Sequence, residues 1–469
     1  MMSFIDSLNG FLYYPLLIIV LIAAGLYFSI RTGFVQFRLF GEAIKLISEK
    51  PSKDGGTSSF KALMVSTASR VGTGNIVGVS TAVCLGGFGA AFWMWLIAII
   101  GMASAFVEST LAQIYKCRDT DGSSYGGPAY YIQDALHSRA LGVVFSVFLI
   151  LTYAFGFNML ASYNMQDSFK AYSFYNPAVT PWIVGAVLAV LVFWCLLGGG
   201  KRIANVASAL VPVMGVIYVV VALVVIVANI GILPAVIKEI FADAFDFKAI
   251  FGGIAGSCMM YGIKRGLYSN EAGVGSAPNA AAAADVSHPV KQGLVQMFSV
   301  FLDTIIICTA TAMMCMCSGI EPTEDIAGAM YVQLSIASVL GNGFGPWFVT
   351  ISLLLFGFTT LIGNLYYCNN ALAFINNNKM PGKSFMMGFY IVCAVLIFVG
   401  AGLSMGLAWS IADILMAFMC LINIPTCIIL GKVVYAACED YIQQRQLGRD
   451  PVFHAKNIGM DASKLDYWQ

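Results

Sequence analysis

The stretch Ser69-Arg70-Val71-Gly72-Thr73-Gly74-Asn75-Ile76-Val77-Gly78 lies inside an apolar segment, 60–85, that is long enough to cross a bilayer. A spanning helix takes about 20 mainly apolar residues. Three glycines, an arginine and an asparagine in the middle of such a segment make a continuous helix a poor solution. No water is present in hydrocarbon to satisfy backbone groups that leave the helical ladder, and each stranded group costs several kcal/mol. The rest of the chain must therefore bury this break in protein or give it a polar cavity to line.

The remaining sequence is suited to that task. Only 10% of the 469 residues are charged and 59% are hydrophobic, whereas a soluble domain carries about 25% charged residues. Apolar runs of bilayer length recur from end to end, which implies an all-α integral membrane protein with eleven transmembrane helices. The spans are expected near 11–30, 61–86, 90–116, 141–165, 181–198, 209–231, 249–274, 291–318, 346–376, 386–403 and 408–432. The first run has no Lys or Arg before it and no small-residue cleavage site after it, so it reads as a span rather than a cleaved leader. A net charge of +1 gives no nucleic-acid footprint. The twelve cysteines lie almost wholly in apolar segments without a CxxC pair, which suits membrane packing rather than metal sites or disulfides.

Lys and Arg set the orientation. Nineteen fall in the segments on one side of the expected spans, and only Lys170, Lys238 and Lys248 on the other. The N-terminus is thus expected outside and the C-terminal tail in the cytoplasm of a plasma-membrane protein. The chain divides into an N-terminal helix (1–32), a cytoplasmic connector (33–60), two five-helix sets (61–234 and 247–432) and a cytoplasmic tail (433–469). The seventh span, like the second, is punctuated by glycines, and each stands first in its set. Five is odd, so the second set enters the membrane from the opposite side. Paired glycine-interrupted spans at matching positions of inverted halves point to a secondary transporter with its site at the repeat interface. The competing reading is that these glycines only let helices pack closely.

A break at Gly72, Thr73 and Gly74 frees amides at the start of the next half-helix, whose partial positive charge suits a substrate carboxylate. Freed carbonyls at Ala68 and Val71, with the Asn75 side-chain oxygen, suit a hard cation. In the seventh span, Tyr261 and Gly262 mark the expected break and pack over the substrate, or serve as plain bundle core. Arg70, Arg265 and Glu271 are read as a gating ion-pair set, Glu271 offsetting Arg265 or reaching Arg70, because an unpaired buried arginine is too costly. The intramembrane carboxylates Glu108, Asp303 and Asp413 are functional suspects. Asp413, near a span start, is also placed to see water, and Asp303 to carry a proton. No Lys-Ser/Thr pair follows Gly126-Gly127, so that segment is a turn rather than a phosphate loop.

Several stretches resemble the alanine-or-glycine:cation symporter family. They are Arg70-Val71-Gly72-Thr73-Gly74-Asn75-Ile76, Phe92-Trp93-Met94-Trp95, Gly126-Gly127-Pro128-Ala129-Tyr130-Tyr131 and Lys201-Arg202-Ile203-Ala204. The longest runs from Arg265-Gly266-Leu267-Tyr268-Ser269-Asn270-Glu271 through Ala272-Gly273-Val274-Gly275-Ser276-Ala277-Pro278. The resemblance implies a leucine-transporter-type core of five plus five inverted helices behind one N-terminal helix. It also implies sodium-coupled import of a small neutral amino acid, alanine or glycine first, by alternating access, with no enzymatic activity and no cofactor beyond sodium as coupling ion. By similarity to this fold, Thr359 and Thr360 complete the sodium site, although a membrane Thr commonly bonds its own helix. Asn364 faces the same cavity where such carriers often have tryptophan, and Ser162 or Asn158 stands where a pocket glutamine is expected. Both departures open the side-chain end of the pocket to serine, asparagine or glutamine. Proton coupling is the alternative drive.

Overall fold

The computed structural model describes residues 2–52, 56–119, 122–246 and 257–468. Among them, seven helices are long and apolar enough to cross a membrane. In chain order the helices that matter below are α1 (Ile18–Arg31), α2 (Ser59–Arg70), α3 (Gly74–Gly86), α4 (Ala90–Ile114) and α5 (Arg139–Ala171). After them come α6 (Thr180–Leu196), α7 (Gly199–Ala228), α8 (Leu233–Ala244) and α9 (Cys258–Asn270). Then follow α10 (Pro278–Ala281), α11 (Pro289–Cys317) and α12 (Ala329–Leu340). The last are α13 (Phe344–Ile375), α14 (Lys383–Gly400) and α15 (Met405–Gln446). The membrane-length helices are α4, α5, α7, α11, α13, α14 and α15. Cys117–Arg118 and Ser124–Tyr125 pair as a short antiparallel ribbon, Cys117 opposite Tyr125.

Burial sorts the helices into a wall and an interior. On α7, Val213, Val216, Ile217 and Val220 are at least half exposed, as are Val190 and Trp194 on α6. Apolar side chains facing outward on helices this long are what a hydrocarbon solvent selects. By contrast, α4 is buried from Ile100 to Ile114 and the α11 segment from Pro289 to Val300 is wholly buried, the two lying against each other. Small residues allow close approach to α4: a Cβ on Gly293 of α11 would stand 3.0 Å from the Phe106 carbonyl, and one on Gly262 of α9 would meet the Ala90 carbonyl and sit 2.7 Å from Trp93 Cβ.

Both broken helices start in the same way. Ser58 accepts the Lys61 amide at 3.2 Å to cap α2, and Ser257 accepts the Met260 amide at 3.3 Å to cap α9. Helix α2 then stops at Arg70, with Val71 non-helical (φ −76°, ψ 87°), and a wide π turn at Gly74–Gly78 opens α3. A second π turn, Phe301–Cys308, lies beside it within α11. Such turns widen a helix locally and are frequent at functional sites.

The break in the second set is displaced from its expected place. Residues 247–256 lie outside the described residues, and α9 runs unbroken through Tyr261 and Gly262. The chain instead leaves the helix at Glu271, which is left-handed (φ 53°), and turns through Gly273 (φ 85°) and Gly275 (φ 89°) before α10. Gly262 serves packing against α4, and Tyr261 packs on Gly86 at the end of α3. Helix α12 falls outside every expected span.

Candidate functional site

The first break is tied off by its own side chains. The Gly72 amide donates to Asn75 Oδ1 at 2.8 Å, which closes the gap left by the missing helical bond. Asn75 Nδ2 in turn donates to Ser269 Oγ (2.9 Å) and Asp303 Oδ1 (2.7 Å), joining the break to α9 and to the π turn of α11. The Asn75 oxygen is therefore engaged by the Gly72 amide, and that amide is committed within the break. Of the three expected anion-binding amides, that of Gly72 is the one Asn75 engages.

Helix α13 presses on the other side of the break. A Cβ on Gly72 would run into Thr360 Oγ1, and one on Gly363 would stand 2.9 Å from the Ser69 nitrogen. At this contact Thr360 Oγ1 donates to the Ala68 carbonyl at 3.2 Å. Thr359 differs: its hydroxyl donates to Phe356 O, 2.9 Å away in its own helix. Ala68 O and Thr360 Oγ1, beside the non-helical Val71, form an all-oxygen set of the kind that hard cations take. Among the described residues no His/Cys/Asp/Glu cluster suits a transition metal.

Beside the first break, α13 and α5 contribute a chain of amides and hydroxyls. Asn364 Oδ1 accepts from Ser69 Oγ (2.6 Å), and its Nδ2 donates to Asn158 Oδ1 (2.8 Å) on α5. Further along α5, Asn164 Nδ2 donates to Thr73 Oγ1 at 3.0 Å. Among the described residues, Asn158 Nδ2 and Asn164 Oδ1 are buried without a protein partner. Ser162 turns away, donating to the Ile397 carbonyl of α14 at 2.7 Å. Of the two candidates, Asn158 joins the chain to Asn364 and Ser162 does not. The aromatic ring beside the first break is that of Tyr268: it lies 2.7 Å from where a Gly74 Cβ would be and packs on Phe157 and Trp409.

The carboxylates and arginines pair differently from expectation. Arg265 Nη2 meets Asp413 Oδ2 at 2.8 Å and its guanidinium lies 3.8 Å from the Trp409 ring centre, so Asp413 is a buried counter-ion rather than a water-facing group. Glu271 does not offset Arg265. It accepts from Ser69 (3.3 Å) and Ser276, which places it at the second break beside the first. Arg70 is 2% exposed; its Nη1 donates to the Gln296 carbonyl at 3.5 Å, and its charge acts on the nearby carboxyl groups of Glu271, Glu108 and Asp303. Asp303 accepts from Asn75, Ser269 (2.7 Å) and Thr304 (2.8 Å). Glu108 accepts the Gly273 amide (3.3 Å) and Asn423 Nδ2 (2.8 Å), so it braces the second break from α4. Ser269 and Asn423 carry no signal in the sequence, since an isolated Ser or Asn in an apolar span is not distinguished by spacing. On the face bearing the Lys/Arg-rich connectors, a cavity of about 840 Å³ opens among Lys61, Val65, Lys201, Asp285, Tyr366 and Tyr467.

Known proteins give a consistent comparison. The profile of the sodium:alanine symporter family matches residues 1–455. The amino-acid carrier protein AlsT of Bacillus subtilis is 42% identical over 97% of this chain and 94% of its own length. The probable sodium/glutamine symporter GlnT of the same organism is also 42% identical, over 98% of this chain and 94% of its own. The sodium/alanine symporter AgcS of Methanococcus maripaludis is 36% identical over 95% and 98%. Among solved structures, MhsT, crystallised with L-phenylalanine, superposes with a TM-score of 0.57 at 14% identity, covering 88% of this chain and 92% of that one. At that identity the likeness concerns the fold.

Proposed function

The chain belongs to the sodium:alanine symporter family, and from that premise we propose that it imports a small neutral amino acid, alanine or glycine first, together with sodium by alternating access. The observation that carries this reading is the wedge of Gly72 against Thr360, with the Ala68 carbonyl held by the Thr360 hydroxyl. Sodium sits between these oxygens and Val71 O, with Thr359 swinging from its own helix to join them. The substrate carboxylate meets the Thr73 and Gly74 amides at the start of α3, where the helix end favours negative charge. Tyr268 covers the substrate, and Asn158 and Asn364 bound its side chain.

In this reading eleven spans surround the site, one N-terminal helix preceding five plus five inverted ones, with the N-terminus outside and the chain beyond α15 in the cytoplasm of the cell membrane. Arg265 and Asp413 close the outer side, and the 840 Å³ cavity is the inner vestibule. Sodium raises substrate affinity, and substrate raises sodium affinity, by the same factor. The test is alanine uptake into proteoliposomes under a sodium gradient and under a proton gradient of equal driving force. Uptake indifferent to sodium removal would sink the proposal and favour proton coupling, for which Asp303 is the candidate carrier.

A second substrate reading rests on one observation, the amide chain Ser69–Asn364–Asn158 with the Asn158 Nδ2 donor left over. A serine, asparagine or glutamine side chain would satisfy it, in keeping with the likeness to a probable sodium/glutamine symporter. Competition of unlabelled amino acids against alanine uptake separates these substrates.

A further inference from the structure

Beyond α15 the chain doubles back. The Phe453 amide donates to Ser287 O at 2.9 Å, and Ser287 Oγ donates to Pro451 O at 2.7 Å. Asp450 pairs with Lys291 at 2.7 Å. Further on, the Arg118 amide donates to Asp466 Oδ2 at 2.6 Å and the Tyr467 hydroxyl to Asp285 Oδ1 at 3.0 Å. The Trp468 indole N–H donates to the Gln113 carbonyl at 2.8 Å. Phe453, Leu465 and Tyr467 are buried, although they lie outside every membrane-length helix. Lys116, fully buried at the end of α4, lies 3.9 Å from the Tyr467 ring centre and 5.0 Å from that of Trp468, and it donates to Ala284 O at 2.9 Å. A desolvated cation over aromatic faces is at the strong end of such contacts.

These contacts converge on the segment 282–288, which joins the second break to α11. The same segment holds the start of the first broken helix: the Asp285 amide donates to Thr57 O at 2.9 Å, and the Ser52 amide to Asp285 O at 3.3 Å. Tyr467 and Asp285 both line the 840 Å³ cavity. One short stretch of chain is thus bound to the end of α4, to the hinge after the second break and, through Asp285, to the root of the first.

We propose that residues 450–468 act as a latch, in which Tyr467 and Trp468 clasped by Lys116 position the hinge 282–288 and so restrain opening of the inner vestibule. The proposal rests on the transporter reading above for the meaning of that opening. Tyr467 and Trp468 are positioning residues: they reach the site only through the hinge and the start of α2. Loosening them frees the inner half of α2 and shifts the population toward inner-open states. A shift of that kind weakens sodium and amino acid binding from the outside together.

A native reporter lies beside the latch, one residue before Arg118, whose amide binds Asp466. Cys117 is 8% exposed, and burial, with Asp134 and Asp466 adding, pushes its thiol up to about 12. Only the thiolate alkylates readily. The test compares Trp468→Ala and Trp468→Phe with the unaltered protein in proteoliposomes. Trp468→Ala is expected to raise the sodium half-saturation of uptake about fivefold, the lower end of coupling between sites. It is also expected to speed alkylation of Cys117, followed by peptide mass, about tenfold, as one unit of thiol pKa implies. Trp468→Phe keeps a ring and loses the indole donor, and is expected to fall between. Unchanged Cys117 labelling in Trp468→Ala overturns the docking. Faster labelling with sodium half-saturation unmoved shows a merely structural contact and overturns the latch. Labelling needs no transport, so absence of sodium-driven uptake in the unaltered protein would count against the proposed function without deciding this one.

Discussion

The two breaks solve one problem, unsatisfied backbone inside a membrane, by opposite means. The first is short and closed by a local bond, Gly72 N–H to Asn75 Oδ1, and its glycine is required because Thr360 occupies the place of a side chain. The second runs from Glu271 to α10, includes a left-handed non-glycine residue, has one local bond from the Ala272 amide to Asn270 Oδ1, and is held from outside by Glu108 and Asn423. A non-glycine residue in the left-handed region is uncommon and persists where the surroundings over-determine it. Glu271 is fixed by Ser69 and Ser276, so the surroundings that hold it include the first broken helix. The first break thus offers backbone oxygen to a ligand, while the second is a braced hinge whose strength comes from side chains elsewhere.

The comparison is tested most severely at the brace. Replacing Glu108 by Leu leaves the Gly273 amide without its acceptor, takes one of the two acceptors of Asn423 Nδ2, and removes a buried carboxyl group near Arg70. A buried donor left unsatisfied costs roughly 1–3 kcal/mol, and more falls due if Arg70 loses its balance of charge. The expected result is a lower thermal midpoint in detergent and poor yield, before any question of transport. A Glu108→Leu protein as stable as the unaltered one would mean that the second break does not depend on α4.

At the first break a substitution is expected to act on transport and leave the fold largely intact. Gly72→Ala drives a methyl into Thr360 Oγ1, and overpacking of this kind costs about 1–3 kcal/mol. Because the strain falls on the Ala68–Thr360 contact, sodium-driven uptake is expected to drop about five- to 150-fold at nearly normal protein yield. Equal losses of yield and uptake would erase the distinction drawn between the two breaks.

How far each break is legible in the sequence follows from the same contrast. The first is readable because Gly-x-Gly-Asn inside a spanning apolar run has no comfortable helical solution, and the structure stops the helix at Arg70. The second is misplaced at Tyr261–Gly262 because glycine marks both breaks and close packing, and Gly262 is there for Ala90 and Trp93. Glu271 gives no local sign of a left-handed backbone, since the contacts that impose it come from Ser69, 202 positions earlier, as well as from Ser276. Ionic partners fail for a similar reason. Asp413 lies 148 positions from Arg265, and no spacing rule connects them. Expected membrane character fared better, because hydropathy is a local property, and the helix at Phe344–Ile375 lies within two residues of its expected ends.

The finest comparison is between neighbours on α13. Thr359 and Thr360 are equivalent in the sequence as sodium ligands, but only Thr360 crosses to the break, whereas Thr359 bonds back to Phe356. Side-chain hydrogen bonds between membrane helices are worth about 0.6 kcal/mol on average and about 1.7 at most. Thr360→Val, which keeps the shape and removes the oxygen, is therefore expected to raise the sodium half-saturation about three- to twentyfold. Thr359→Val removes a hydroxyl whose partner carbonyl lies within the same helix, so the structure as it stands predicts less than about a threefold change. If sodium instead draws Thr359 away from Phe356, as proposed above, the two variants converge. Sodium titrations of alanine uptake on both variants in one preparation decide it. Convergence means that the ion reorganises α13, and divergence means that Thr360 alone carries the contact.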